Sequence, residues 1–122
     1  MFTVNIISKN QLEIDAITIV LKSYAFEVKP FESLKSFELS ANYARSCILI
    51  GFSEMISEAD GFFEKLQRLN QLVPIVVMIE GGQFKRLPEN LLKIGISYLD
   101  RPVNRTELIG LLEIFRRSFD FK

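Results

Sequence analysis

The sequence predicts an α/β domain with a five-stranded parallel sheet and helices on both faces. Three observations predict it. Five short apolar, β-rich runs alternate with stretches of helical period. One of those runs, Cys47–Ile50, is apolar throughout, as in a strand covered on both faces. Capping residues open the helical stretches, and Pro or Gly punctuates the segments between them.

The first strand is expected over Phe2–Ile7. Asn10 and Glu13 have the spacing of a capping box, and Leu12, Ala16, Ile17, Val20 and Tyr24 mark the apolar face of the helix that follows. The second strand, Phe26–Val28, is closed by Pro30, and a weaker helix runs over Leu34–Tyr43 around Leu34, Phe37 and Leu39. After the third strand, Cys47–Ile50, the residues Gly51 and Phe52 enter a loop, and Ser57 or Asp60 caps a helix ending near Asn70.

The fourth strand is Val73–Ile79, with Pro74 at its entry, where a missing N–H is tolerated. Gly81 and Gly82 mark a loop, and a short helix over Pro88–Ile94 is stopped by Gly95. The fifth strand, Ile96–Leu99, leads through Pro102 to a second capping box, Asn104 and Glu107. The last helix places Leu108, Leu111, Leu112, Phe115 and Phe119 along one face. Right-handed crossovers between these strands give a flavodoxin-like (βα)5 three-layer sandwich of strand order 2-1-3-4-5.

At 122 residues the chain makes one domain, residues 1–122, and its 48% hydrophobic content excludes a disordered segment. Lysine plus arginine and aspartate plus glutamate balance at 15 each, so no global field favours nucleic acid or membrane. Residues 1–84 are net acidic and residues 85–122 net basic. Cys47 is the single cysteine, which excludes an internal disulfide. No basic, apolar leader opens the chain and no run reaches spanning length, so a cytoplasmic location is expected. The chain has no histidine, which removes His triads, His zinc sites and His general bases.

Ligands of such sheets bind beyond the carboxyl ends of the strands. The order Gly95, Tyr98, a basic residue, Pro102 and a capped amphipathic helix resembles the receiver domains of bacterial response regulators, over essentially the whole chain. The resemblance implies an acidic pair after strand 1 holding Mg²⁺, an acceptor Asp ending strand 3, a Thr or Ser ending strand 4 and a Lys before a cis Pro after strand 5. Here those positions fall on Ser8 and Lys9, Gly51, Ile79 and Arg101, a degenerate phosphoacceptor pocket. Gly51 has no side chain to phosphorylate, and an ammonium at Lys9 repels a divalent cation.

Gly51 in Cys47-Ile48-Leu49-Ile50-Gly51, the segment Leu87-Pro88-Glu89-Asn90-Leu91 and Arg101-Pro102-Val103-Asn104 through Leu108 are similar to the N-terminal domain of FleQ/FlrA-type flagellar regulators. Those are sigma-54-dependent activators with an AAA+ ATPase domain and a DNA-binding helix-turn-helix. The resemblance implies a phosphorylation-independent regulatory domain that takes no Mg²⁺ or other cofactor and catalyses nothing. Its partners would be a second copy and a downstream ATPase domain. The acidic remnant such members keep after strand 1 is absent from the sequence there, and the Arg- and Phe-rich end of the chain reads as a cut inside a longer protein. In receivers the fourth helix, fifth strand and fifth helix form a pairing surface; here it would offer Phe84, Leu87, Tyr98, Arg105 and Arg116.

Two alternatives stand beside this reading. One is a pseudo-receiver interaction module in another signalling protein. The other is a flavodoxin-like small-molecule binder, for which the strand ends offer only Ser8, Lys9, Asn10, Glu80 and Arg101. Arg101 and Arg105 have the R-x-x-x-R spacing of some cyclic-di-GMP sites without the rest of such a motif. Arg116 and Arg117 beside Glu113 and Asp120 make a weak basic patch, typical of a helix C-terminus.

Overall fold

The computed structural model describes residues 1–39, 44–51, 68, 73–80 and 96–120. Its strands are β1 (Thr3–Ile7), β2 (Glu27–Phe31), β3 (Ser46–Gly51), β4 (Ile75–Ile79) and β5 (Ser97–Asp100). Its helices are α1 (Gln11–Ser23), α2 (Leu34–Leu39) and α3 (Arg105–Asp120). All neighbouring strands pair in parallel, in the order β2-β1-β3-β4-β5. The expected sheet order is therefore the observed one. Of the helix expected near residues 57–70 only Arg68 is described, and it is helical; the rest of that helix, the helix expected near 88–94, and the Gly81-Gly82 and Gly95 punctuation lie outside the described residues.

Strand alternation sorts the core into two faces. Ile7, Ile48, Ile50, Val77 and Ile79 face one side, packed with Phe37 of α2 and the half-buried Phe31 and Tyr98. Val4, Ile6, Cys47, Leu49, Val76 and Met78 face the other, under α1 and α3. Every residue of β3 and β4 is buried, which is why these strands read as unbroken apolar runs.

The face that α1 buries matches the expected one only in part: Ile17 is buried and Val20 packs half-buried against the same core. Ile14, Ile17 and Leu21 are buried, whereas Leu12 is 81% exposed, and Ala16 and Tyr24 are exposed as well. The helix has apolar residues on both sides, and the β-branched Ile14 and Ile17 with Leu21 fit the sheet. Asn10 caps α1 by accepting the Glu13 N–H at 3.2 Å. The helix ends in a Schellman motif: the Phe26 N–H donates to the Leu21 carbonyl and the Ala25 N–H to the Lys22 carbonyl, both at 3.1 Å. Ala25 takes the left-handed position at φ 64°, where glycine is usual.

Pro30 does not close β2 but lies inside it, opposite Ile6. The Glu27 N–H and the Phe31 carbonyl bond toward β1, so 27, 29 and 31 face the sheet and Pro30 turns outward on an edge strand. In α3, Asn104 caps by accepting the Glu107 N–H at 3.0 Å, and Leu108, Ile109 and Leu112 are buried. The Arg101–Pro102 peptide bond is cis.

Candidate functional site

The carboxyl ends of β1, β3, β4 and β5 lie side by side, and each expected pocket residue stands at one of them. Ser8 follows β1 and is 1% exposed. Gly51 ends β3 and Ile79 ends β4, both buried. Arg101 follows β5, and its N–H donates to the Ile79 carbonyl at 2.7 Å. Lys9 is exposed beside Ser8, at the rim.

A residue outside the expected set organises the pocket. The Glu13 carboxylate, from the first turn of α1, accepts a 2.8 Å charge-assisted bond from the Arg101 guanidinium. Both side chains are largely buried, at 15% and 14% exposed. Glu13 also accepts the Ser8 hydroxyl at 3.1 Å. Glu80, 64% exposed, approaches Arg101 from β4 at 3.8 Å and adds a weaker, screened contact.

The capping box explains how Glu13 becomes available. In a full box the carboxylate at Glu13 would bond back to the Asn10 N–H. Here the Ser8 hydroxyl takes that N–H at 3.1 Å, and Glu13 turns to Arg101 instead. An acidic group therefore does occupy the region after β1, contributed by helix α1. The Asn10–Glu13 spacing was its only sequence signal, and it reads as a cap.

The donor set does not fit a divalent cation. Glu13 is engaged by Arg101, Ser8 offers a neutral hydroxyl, Lys9 brings a positive charge and Gly51 offers no side chain. Among the described residues, no group of three His, Cys, Asp or Glu side chains is placed to hold a metal. Toward β2, Ser8, Lys9, Ile14, Phe31 and Glu32 line a cleft of about 490 Å³.

Of the expected interface residues, Phe84 and Leu87 lie outside the described residues. Tyr98 is half-buried on the face of the sheet away from α1 and α3, and burial pushes its phenol pKa up. Arg105 and Arg116 lie on the opposite face, turned to the end of α1. The Arg116 guanidinium lies 4.1 Å above the Phe26 ring, donates to the Tyr24 carbonyl at 3.0 Å and pairs with Glu113. Arg105 stands 5.5 Å from the Tyr24 ring centre. Arg101 and Arg105 thus serve separate clusters. Cys47 is fully buried in β3, and burial pushes its thiol pKa up, so it has no accessible thiolate.

No protein-family model and no curated protein matches the chain. Solved structures do. A response regulator receiver domain protein from Clostridium thermocellum superposes with a TM-score of 0.79 over 99% of this chain and 98% of its own, at 11% identity. Full-length FixJ from B. japonicum matches with a TM-score of 0.78 at 18% identity, over 97% of this chain and 59% of its own. The N-terminal signal receiver domain of a Bacteroides fragilis response regulator gives 0.74 at 17% identity, over 95% and 97%. The fold is that of response-regulator receiver domains. The chain spans 59% of full-length FixJ and 60% of the response regulator StyR, which matches with a TM-score of 0.74 at 20% identity over 97% of this chain.

Proposed function

We propose that this chain is a non-enzymatic regulatory module that works without phosphorylation. The observation that carries the reading is the Glu13–Arg101 ion pair, closed at 2.8 Å across the strand ends where a receiver would hold metal and phosphoryl group. Gly51 at the acceptor position and Ile79, which has no hydroxyl, support it.

The test is an amide NMR titration with Mg²⁺ and beryllofluoride. Unchanged signals at Ser8, Lys9, Gly51, Ile79 and Arg101 are expected. Saturable shifts there would overturn the reading.

Within this reading, the module belongs to a sigma-54-dependent activator of flagellar-regulator type and acts on a downstream AAA+ ATPase domain. The support is the short motifs around Gly51, Leu87-Pro88 and Arg101-Pro102. Its contact surface toward that ATPase domain is the stretch from Phe84 to Phe119. The gene sequence beyond residue 122 decides the assignment: a Walker A motif supports it, and a different effector domain refutes it.

A further inference from the structure

Helix α1 carries a second apolar stripe, opposite the one it buries. Leu12, Ala16 and Ile19 recur at helical spacing on the outward side, with Leu12 81% and Ile19 72% exposed. Exposed large apolar side chains are few among the described residues; the others are Met1, Ile114 and, less exposed at 39%, Tyr24. Tyr24 is the C-cap of the same helix. Among the described residues, three of these five exposed side chains therefore lie on α1 or its C-cap.

The flank of the stripe carries the second observation. Asp15 and Lys22 are seven residues apart, so they lie on the same side of the stripe, nearly in line. Two copies of α1 packed antiparallel about a two-fold axis level with Thr18 and Ile19 would bring like flank to like flank. Asp15 of each copy then meets Lys22 of the other, twice. In the same register Ile19 of one copy falls close to Ala16 of the other, a large side chain over a small one that lets the helices approach. Leu12 reaches the other copy's Tyr24 end. The stripe and its charges are self-complementary in one register.

We infer that the outward face of α1 is a homodimerisation surface, paired antiparallel through Ile19 and Ala16 and set in register by Asp15 and Lys22. The occupant is a second copy because the charges complement each other only after a two-fold rotation. A single helix pair covers less than the roughly 1,200–2,000 Å² of a stable interface, so association is weak and concentration-dependent. The inference rests on no feature of the strand-end pocket, and it leaves the surface from Phe84 to Phe119 for another domain.

Sedimentation of the 122-residue chain over micromolar to millimolar concentration tests it. A weak dimer is expected, with Kd raised tenfold or more by Ile19→Asp. Asp15→Lys or Lys22→Asp alone should raise Kd at least threefold, and the double reversal should restore it. Leu87→Asp should leave Kd unchanged. Circular dichroism of each variant establishes that it remains folded. A chain that stays monomeric at millimolar concentration, a dimer insensitive to Ile19→Asp, or charge reversals without mutual rescue would each overturn the inference.

Discussion

The Glu13 carboxylate and the Arg101 guanidinium meet at 2.8 Å although 88 residues separate them. The pair ties the first turn of α1 to the segment after β5 and holds Ser8 beneath it. Removing one partner takes away the shortest ion pair of a largely buried charge. Glu13→Gln and Arg101→Met are each expected to lower unfolding free energy by about 1–3 kcal/mol. The double substitution should lose less than the sum, because it removes both charges. Urea unfolding of the four proteins checks this; additive losses would show that the two groups are not coupled.

The two faces of α1 should respond oppositely to truncation. Leu21 is 0% exposed and packs against the sheet, so Leu21→Ala is expected to destabilise by about 2–5 kcal/mol. Leu12 is 81% exposed, so Leu12→Ala should stay within about 0.5 kcal/mol at micromolar concentration. Chemical denaturation distinguishes the two, and equal losses would contradict the observed orientation of the helix.

An alanine and a glycine stand where the reverse choice fits the backbone better. Ala25 sits at φ 64° in the Schellman motif, so Ala25→Gly is expected to stabilise by about 0.5–1 kcal/mol. Gly110 lies within α3, and a Cβ added there meets nothing within 4 Å. Gly110→Ala should also stabilise, by about 0.5–1 kcal/mol. Thermal melts of the two variants and their combination give the sign and the additivity.

Cys47 links stability to alkaline pH. Burial keeps its thiol protonated in the folded chain, whereas the unfolded thiol ionises around its ordinary value of 9.0. Above that pH the unfolded state sheds a proton that the native state retains. Stability is thus fully present below pH 9.0 and falls as pH rises, by up to about 1.4 kcal/mol per pH unit from this group. Comparing wild type with Cys47→Ala between pH 8 and 11 isolates the effect. A difference that does not change with pH would refute it. Thiol reagents should likewise label Cys47 only after unfolding.

Much of the architecture was legible because its signals are local. The buried runs at Cys47–Ile50 and Ile75–Ile79 announce central strands, since both faces of a parallel sheet are covered. Asn10 and Asn104 announce helix starts, since a cap needs only the next three residues. The positions at the strand ends followed from those elements.

The tertiary structure decided what depends on a second surface. Helix α1 is apolar on two sides, and only the sheet determines that Ile14, Ile17 and Leu21 are covered while Leu12 and Ile19 are not. Pro30 reads as a stop until β2 is known to be an edge strand whose outward positions need no donor. Ala25 carries no stop signal, yet it turns the chain because Phe26 must return to the core beside Leu21. Glu13 reads as half of a cap; its role emerges when the crossovers place Arg101 beside it and Ser8 relieves it of the Asn10 N–H. Caps and apolar runs are energies of neighbours in the chain, whereas helix orientation and a long-range ion pair exist only once the sheet has assembled.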